Sequence, residues 1–252
     1  MRKVILLIAV AVMAATGFIV AGVGHAGAGV YAPGTPAPPA GWHQTYAHNF
    51  ITQGWGDWTV CADCGGSHAG SVPASMFISD KPGAQFGLGV KVTATNQWGE
   101  VWSRDSVVGP NSFVKALVYI PKTASGQTAN WPAWWTTARP WPAGGEIDAL
   151  EGLGGKSTFG THYGPTAAQE VSQAGGSSQV GTGWVTVSFL RAGGKVTAWY
   201  GTTKVGTVPL PPITSERLVF QNRSFTTVGC SQCFGPFLPA TAWLSRVTVW
   251  SK

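Results

Sequence analysis

Glu146, Asp148 and Glu151 place three of the chain's ten acidic residues within six positions. They read Glu-x-Asp-x-x-Glu inside the segment GGEIDALEGLGG at 144–155, with glycine turns on either side. Folding alone does not favour such a cluster, because like charges a few ångströms apart repel and at least one carboxyl must hold its proton above the ordinary range. Retaining glycoside hydrolysis uses that split, with one ionised carboxylate as nucleophile and one protonated carboxyl as acid and then base, ~5–5.5 Å apart. The alternative is a metal-binding or merely solvated acidic strand.

Alternate residues of a regular strand share a face, so Glu146 and Asp148 point together and Glu151 points away. One extra residue, a β-bulge at Ala149-Leu150, returns Glu151 to the face of the other two, and bulges commonly re-aim side chains beside active sites. The segment ARPWPAG at 138–144 joins this strand to WPAWW at 131–135 as a hairpin with a long loop. On the WPAWW strand Trp131 and Trp135 share a face while Trp134 takes the other, the core side. Indole rings are broad, rigid apolar surfaces with one N–H donor, suited to stacking on sugar rings, so Trp131, Trp135 and the loop residue Trp141 are candidate walls of a cleft. His162, on the strand after the 152–155 turn, can lie across the sheet beside Glu146 or Glu151 and bond a carboxylate or a sugar hydroxyl. Asn111, Arg139 and Asn222 are further candidate partners of sugar hydroxyls.

These residues need a scaffold, and the chain reads as all-β. Helical periodicity is nearly absent, and short alternating or apolar runs recur between Gly, Pro, Ser and Asn punctuation. The spacing predicts nine strands, at 85–95, 112–120, 131–136, 146–151, 158–163, 184–190, 195–200, 217–222 and 242–250, and hence two stacked sheets. With 35 glycines, 13 tryptophans and only 10% charged residues, self-repelling disorder, collagen and coiled coil are excluded. No internal repeat is present, and the domain at 42–252 is expected to act as a monomer.

Ahead of it, Met1-Arg2-Lys3 and the apolar run at 4–24 read as a secretory signal over 1–26, with an uncleaved membrane anchor as the alternative. Residues 27–41 form a proline-rich linker. Removing Arg2 and Lys3 leaves 14 basic against 10 acidic residues, a mild net charge of +4. With no Lys/Arg run and no basic helix, nucleic acid is not an expected partner, and no stable membrane contact is expected unless the anchor remains. Cys61, Cys64, Cys230 and Cys233 form two CxxC pairs, a spacing that suits zinc; export favours disulfides, with three pairings open.

The runs WPAWW, WPAGGEIDALEG at 141–152 and THYG at 161–164 resemble, in order and spacing, the core of glycoside hydrolase family 16. The resemblance implies a β-sandwich of jelly-roll type with a concave substrate cleft. It also implies Glu146 as nucleophile, Glu151 as acid/base and Asp148 as the carboxylate that orients the nucleophile. The extra residue is similar to the bulged branch of laminarinases, agarases and carrageenases. Ala149 stands where a larger aliphatic residue is usual, and Ser245 where the closing strand often has an aspartate. That last departure counts against the family's structural calcium, and the chemistry requires no cofactor. The expected activity is secreted, retaining endo-hydrolysis of internal β-linkages in a polysaccharide, foremost a β-1,3-glucan. A non-catalytic carbohydrate-binding sandwich, or a transglycosylase acting on wall or capsule polymers, are the alternatives.

Overall fold

The computed structural model describes residues 31–61, 72–79, 87–178, 180, 183–210, 215–224 and 235–252. Among these, strands run in the order β1 (His43–Asn49), β2 (Trp58–Val60), β3 (Val72–Pro73), β4 (Ser75–Ile78), β5 (Leu88–Val92), β6 (Gln97–Ser103), β7 (Ser112–Tyr119) and β8 (Trp131–Thr137). They continue with β9 (Glu146–Leu153), β10 (Lys156–Tyr163), β11 (Val171–Ser178), β12 (Trp184–Ala192), β13 (Lys195–Tyr200), β14 (Thr203–Pro209), β15 (Arg217–Ser224) and β16 (Ala240–Ser251). One sheet has the order β14-β13-β12-β7-β16-β5-β4, with β1 on β16. The other has the order β11-β10-β9-β8-β15-β6-β2, with the short β3 added in parallel to β6. This is the expected β-sandwich of jelly-roll type.

Period-two alternation builds the core. Val114, Ala116 and Val118 of β7 and Val187 and Phe189 of β12 turn inward from the first sheet. Ile147, Leu150, Phe159, Leu218 and Phe220 meet them from the second. Trp134 is fully buried and stacks on Trp58 with ring centroids 6.3 Å apart. Truncating such a ring costs about 3–5 kcal/mol, so the two indoles are part of what fixes β8 and β2 to the core. One ion pair also crosses the interior: Arg191 Nη1 of β12 lies 3.0 Å from Glu216 Oε2, and Thr136 of β8 donates to the same oxygen at 3.1 Å.

All nine expected strands are present, and the remainder were hidden by composition. β6 (QWGEVWS) and β11 (VSQAGGSS) carry too much glycine and too many polar residues to read as strands, and pairing, on both sides for β6 and with β10 for the edge strand β11, overrides that local preference. Within the expected linker at 27–41, residues 31–35 lie against the outer face of the first sheet. Tyr31 donates to the Lys115 carbonyl at 2.9 Å and lies 2.8 Å from Thr248 Oγ1, and the Ala32 amide donates to Thr186 Oγ1 at 3.2 Å. One aromatic side chain with a satisfied hydroxyl ties down a segment whose prolines alone would not dock it.

Candidate active site

The cleft opens on the outer face of the second sheet, over its central strands β8, β9 and β15. On β9 the register slips twice. Trp134 and Thr136 of β8, two apart, pair with Leu150 and Ile147, three apart; Thr158 and Gly160 of β10 pair with Glu151 and Asp148. The extra residue is therefore shared by Ala149 and its neighbours, where parity required it. Ile147, Ala149 and Leu150 all face the core, while Glu146, Asp148 and Glu151 all line the cleft. Two consecutive core-facing residues, Ala149 and Leu150, are the mark of the bulge on its buried side.

The β8–β9 hairpin closes through bonds from the Gly144 amide to the Pro140 carbonyl at 2.7 Å and from the Gly145 amide to the Pro142 carbonyl at 2.9 Å. A Cβ on Gly144 would stand 2.2 Å from the Ala138 carbonyl oxygen, so only glycine lets the loop double back. This turn delivers Arg139, Pro140 and Trp141 to the cleft mouth, where Trp141 is 45% exposed. With Trp102, Trp131, Trp135 and the carboxylates they line a cleft of about 840 Å³. That size and its aromatic lining suit a bound oligosaccharide segment.

Electrostatics sharpen the cluster. Burial, then the Asp148 charge, hold the Glu146 carboxyl well above the ordinary carboxylate range, against the pull of His162 and a bond from Trp141. Burial and Asp148 likewise push Glu151 up to about 8, although Trp131 Nε1 donates to its Oε1 at 2.7 Å. His162 Nε2 lies 3.2 Å from Asp148 Oδ2, and its Nδ1 lies 2.5 Å from Glu170 Oε1. Burial opposes the imidazole's charge, but the bond to Asp148 and the surrounding carboxylates raise it to about 10. Glu146, Asp148 and His162 bring one ligand-type atom each within 4.8 Å of one another. With its two ring nitrogens turned to Asp148 and Glu170, His162 joins these carboxylates in one ion-paired cluster.

The structure brings Glu146, Asp148, Glu151, Trp131, Trp135, Trp141 and Arg139 to the cleft, with His162 directly behind Asp148. Asn111 is not among them: it is exposed at the start of β7, a strand of the opposite sheet. Asn222 is fully buried and donates to the Val90 carbonyl at 3.2 Å, because it shares the inward parity of Leu218 and Phe220. Its neighbours Gln221 and Arg223 take the cleft face instead. Sequence reasoning missed them, along with Glu100 and Trp102 of β6. Glu100 is buried, accepts from Trp102 Nε1 at 2.5 Å and pairs with Arg223, whose guanidinium lies 5.1 Å over Trp131. Their shared parity on QWGEVWS was the available signal.

Cys61 follows β2, whereas Cys64, Cys230 and Cys233 lie outside the described residues. Ser245, where the resemblance places an aspartate, is fully buried with no partner for its hydroxyl among the described residues; a single neutral side-chain oxygen there does not fit a calcium site built on carboxylates.

The XgeA-like catalytic-domain model of glycoside hydrolase family 16 matches residues 98–188, which include every carboxylate of the cluster. No curated protein matches the chain. A family 16 endo-glucanase from Bacteroides ovatus, solved with G4G3G-2F-DNP, superposes with a TM-score of 0.64 at 16% identity, over 81% of this chain and 99% of that one. A non-specific endo-β-1,3(4)-glucanase of family 16 gives 0.64 at 14% identity, over 86% and 94%. LamA from Zobellia galactanivorans, bound to laminaritriose and laminaritetraose, gives 0.58 at 14% identity, over 82% and 98%. The chain's similarity to glycoside hydrolase family 16 is thus carried both by its central sequence, which matches the catalytic-domain model, and by the fold that surrounds it.

Proposed function

We propose that the protein is an exported, retaining endo-glycosidase that cleaves internal linkages of a β-1,3-glucan. One observation carries the reading: a bulged strand sets Glu146, Asp148 and Glu151 side by side in a cleft walled by Trp102, Trp131, Trp135 and Trp141. A binding module has no use for three crowded carboxylates, whose mutual repulsion is a cost that only chemistry recovers. The bound laminari-oligosaccharides of the Zobellia relative support the choice of a β-1,3-glucan. The open cleft suits an internal stretch of polymer.

In the first step Glu146 attacks the anomeric carbon. The glycosidic C–O bond breaks, and its oxygen leaves with the proton of Glu151. Glu151, now a carboxylate, takes a proton from water as that water attacks the same carbon, releasing Glu146 and restoring the first state. Asp148, held by His162, orients the nucleophile between the two steps. The chemistry requires no cofactor. The basic start Met1-Arg2-Lys3 and the apolar run after it support export.

The test is release of reducing ends across laminarin, mixed-linkage glucan, agarose, carrageenan and galactan, followed by Glu146→Ala on the best of them. The variant is expected to be inactive and to form a glycosyl azide when azide replaces the missing carboxylate. Substantial turnover by Glu146→Ala, or inversion at the anomeric carbon by NMR, would overturn the assignment.

A further inference from the structure

We propose that Glu170 is a positioning residue of this site: it holds His162 as a cation beside Asp148 across the working pH range. The inference rests on the glycosidase reading of the cluster but concerns a residue outside it.

His162 sits on β10 between two strands, opposite Glu146 on β9 and opposite Ser172 on β11. Its two nitrogens point to different carboxylates, Asp148 at 3.2 Å and Glu170 at 2.5 Å. Ser172 Oγ lies 2.9 Å from the Glu170-facing nitrogen and donates to Glu170 Oε1 at 2.8 Å, so the outer carboxylate is held on two sides. Neither carboxylate has a proton to give when ionised, so both ring nitrogens donate and the imidazole is charged. The bond from His162 in turn holds the Glu170 carboxyl below its ordinary range. The charged groups facing His162 are Asp148, Glu146 and, farther off, Glu151 from β9, and Glu170 from the turn before β11.

The turn is built to deliver Glu170. A 3₁₀ turn at Ala167–Gln169 closes with the Gln169 amide on the Thr166 carbonyl at 3.0 Å, and Thr166 Oγ1 donates to Gln169 Oε1 at 3.0 Å. Gly164, at φ +155°, lets this turn fold back onto β10, since a Cβ there would stand 2.3 Å from the Gln169 carbonyl oxygen. The result is a line of alternating charge from the buried cluster to the surface: Asp148, His162, Glu170. A cation at its centre offsets one of three crowded negative charges and so lets the nucleophile ionise while Glu151 keeps its proton. A neutral His162 would leave the cluster without that offset.

The test uses the full chain with ¹⁵N-labelled histidine, the His162 signals being assigned by His162→Asn. In the native protein His162 is expected to stay protonated beyond about pH 9, whereas Glu170→Gln lowers its midpoint by about one unit or more. On the glycan substrate, Glu170→Gln is expected to move the alkaline limb of kcat to higher pH, because the His162 charge lost as the imidazole titrates had favoured ionised Glu151, with KM little changed. Glu170→Asp restores part of both shifts. In a His162→Asn background Glu170→Gln is expected to leave the limb where it stands. An unchanged His162 midpoint in Glu170→Gln, or the same limb shift in both backgrounds, would overturn the proposal. If the native protein cleaves no glycan, the glycosidase reading fails, while the imidazole titration still decides whether Glu170 holds the charge.

Discussion

The molecule buries carboxylates in two regions, and burial alone does not distinguish them. Between the sheets, Glu216 is fully buried beside Arg191 and Thr136; burial pushes it up to about 7 although Arg191 pulls the other way. On the cleft face, Glu151 is pushed up to about 8 by burial and by its acidic neighbour. The two shifts are alike in size and opposite in meaning. Glu216 has a fixed cation and a hydroxyl and no opening, so its proton answers only to folding. The cleft carboxylates face one another across a space that admits a substrate, so theirs answer to a reacting bond. A raised carboxyl marks a reactive site when like charges share it and a cleft reaches it.

Glu151→Gln separates the two regions most sharply. It is expected to slow hydrolysis by roughly 10²–10⁴-fold and to abolish the descending limb near pH 8, with no loss in melting temperature, since it relieves repulsion. Arg191→Met is the converse. It leaves Glu216 uncompensated and is expected to cost about 3–5 kcal/mol, a drop of roughly 10 °C in melting temperature, with kcat of the folded fraction little altered. A large loss of kcat in Arg191→Met at unchanged stability would erase the distinction.

A third effect comes from Glu216 itself, whose carboxyl binds its proton more tightly folded than unfolded. Its contribution to stability is full below the ordinary carboxylate range and is lost as pH rises through about 7. Native unfolding free energy should therefore fall by up to about 3 kcal/mol between pH 5 and 8, a slope that Glu216→Gln flattens in denaturant titrations. Smallest is Trp131→Phe, which keeps a ring in the cleft wall and removes the donor to Glu151. A rate loss of roughly tenfold is expected, with the descending limb moved to higher pH because the lost bond had favoured the ionised form.

The cluster was legible because it broke a rule of composition: three acids crowded together in a chain with few. Strand parity then predicted a bulge, and Ile147, Ala149 and Leu150 turned to the core show it. The aromatic wall on WPAWW followed from the same parity. Asn222 was misplaced by neglecting it, since Leu218 and Phe220 already committed its face to the interior. Glu100 and Trp102 share a parity that only a strand assignment for β6 exposes, and Arg223 joins them through β15 pairing beside it. Glu170 was hidden for a different reason. It lies outside the strand and meets His162 only after the Gly164 turn folds back.

The docking of Tyr31 has a consequence for access to the cleft. Its hydroxyl and ring are held by Lys115 and Thr248 on the first sheet, while the cleft lies on the far side of the second. The chain thus enters the fold at the back of the sandwich, like a mooring line tied to the stern. The first described residues therefore take no part in walling the cleft, whose mouth is left to Arg139, Pro140 and Trp141.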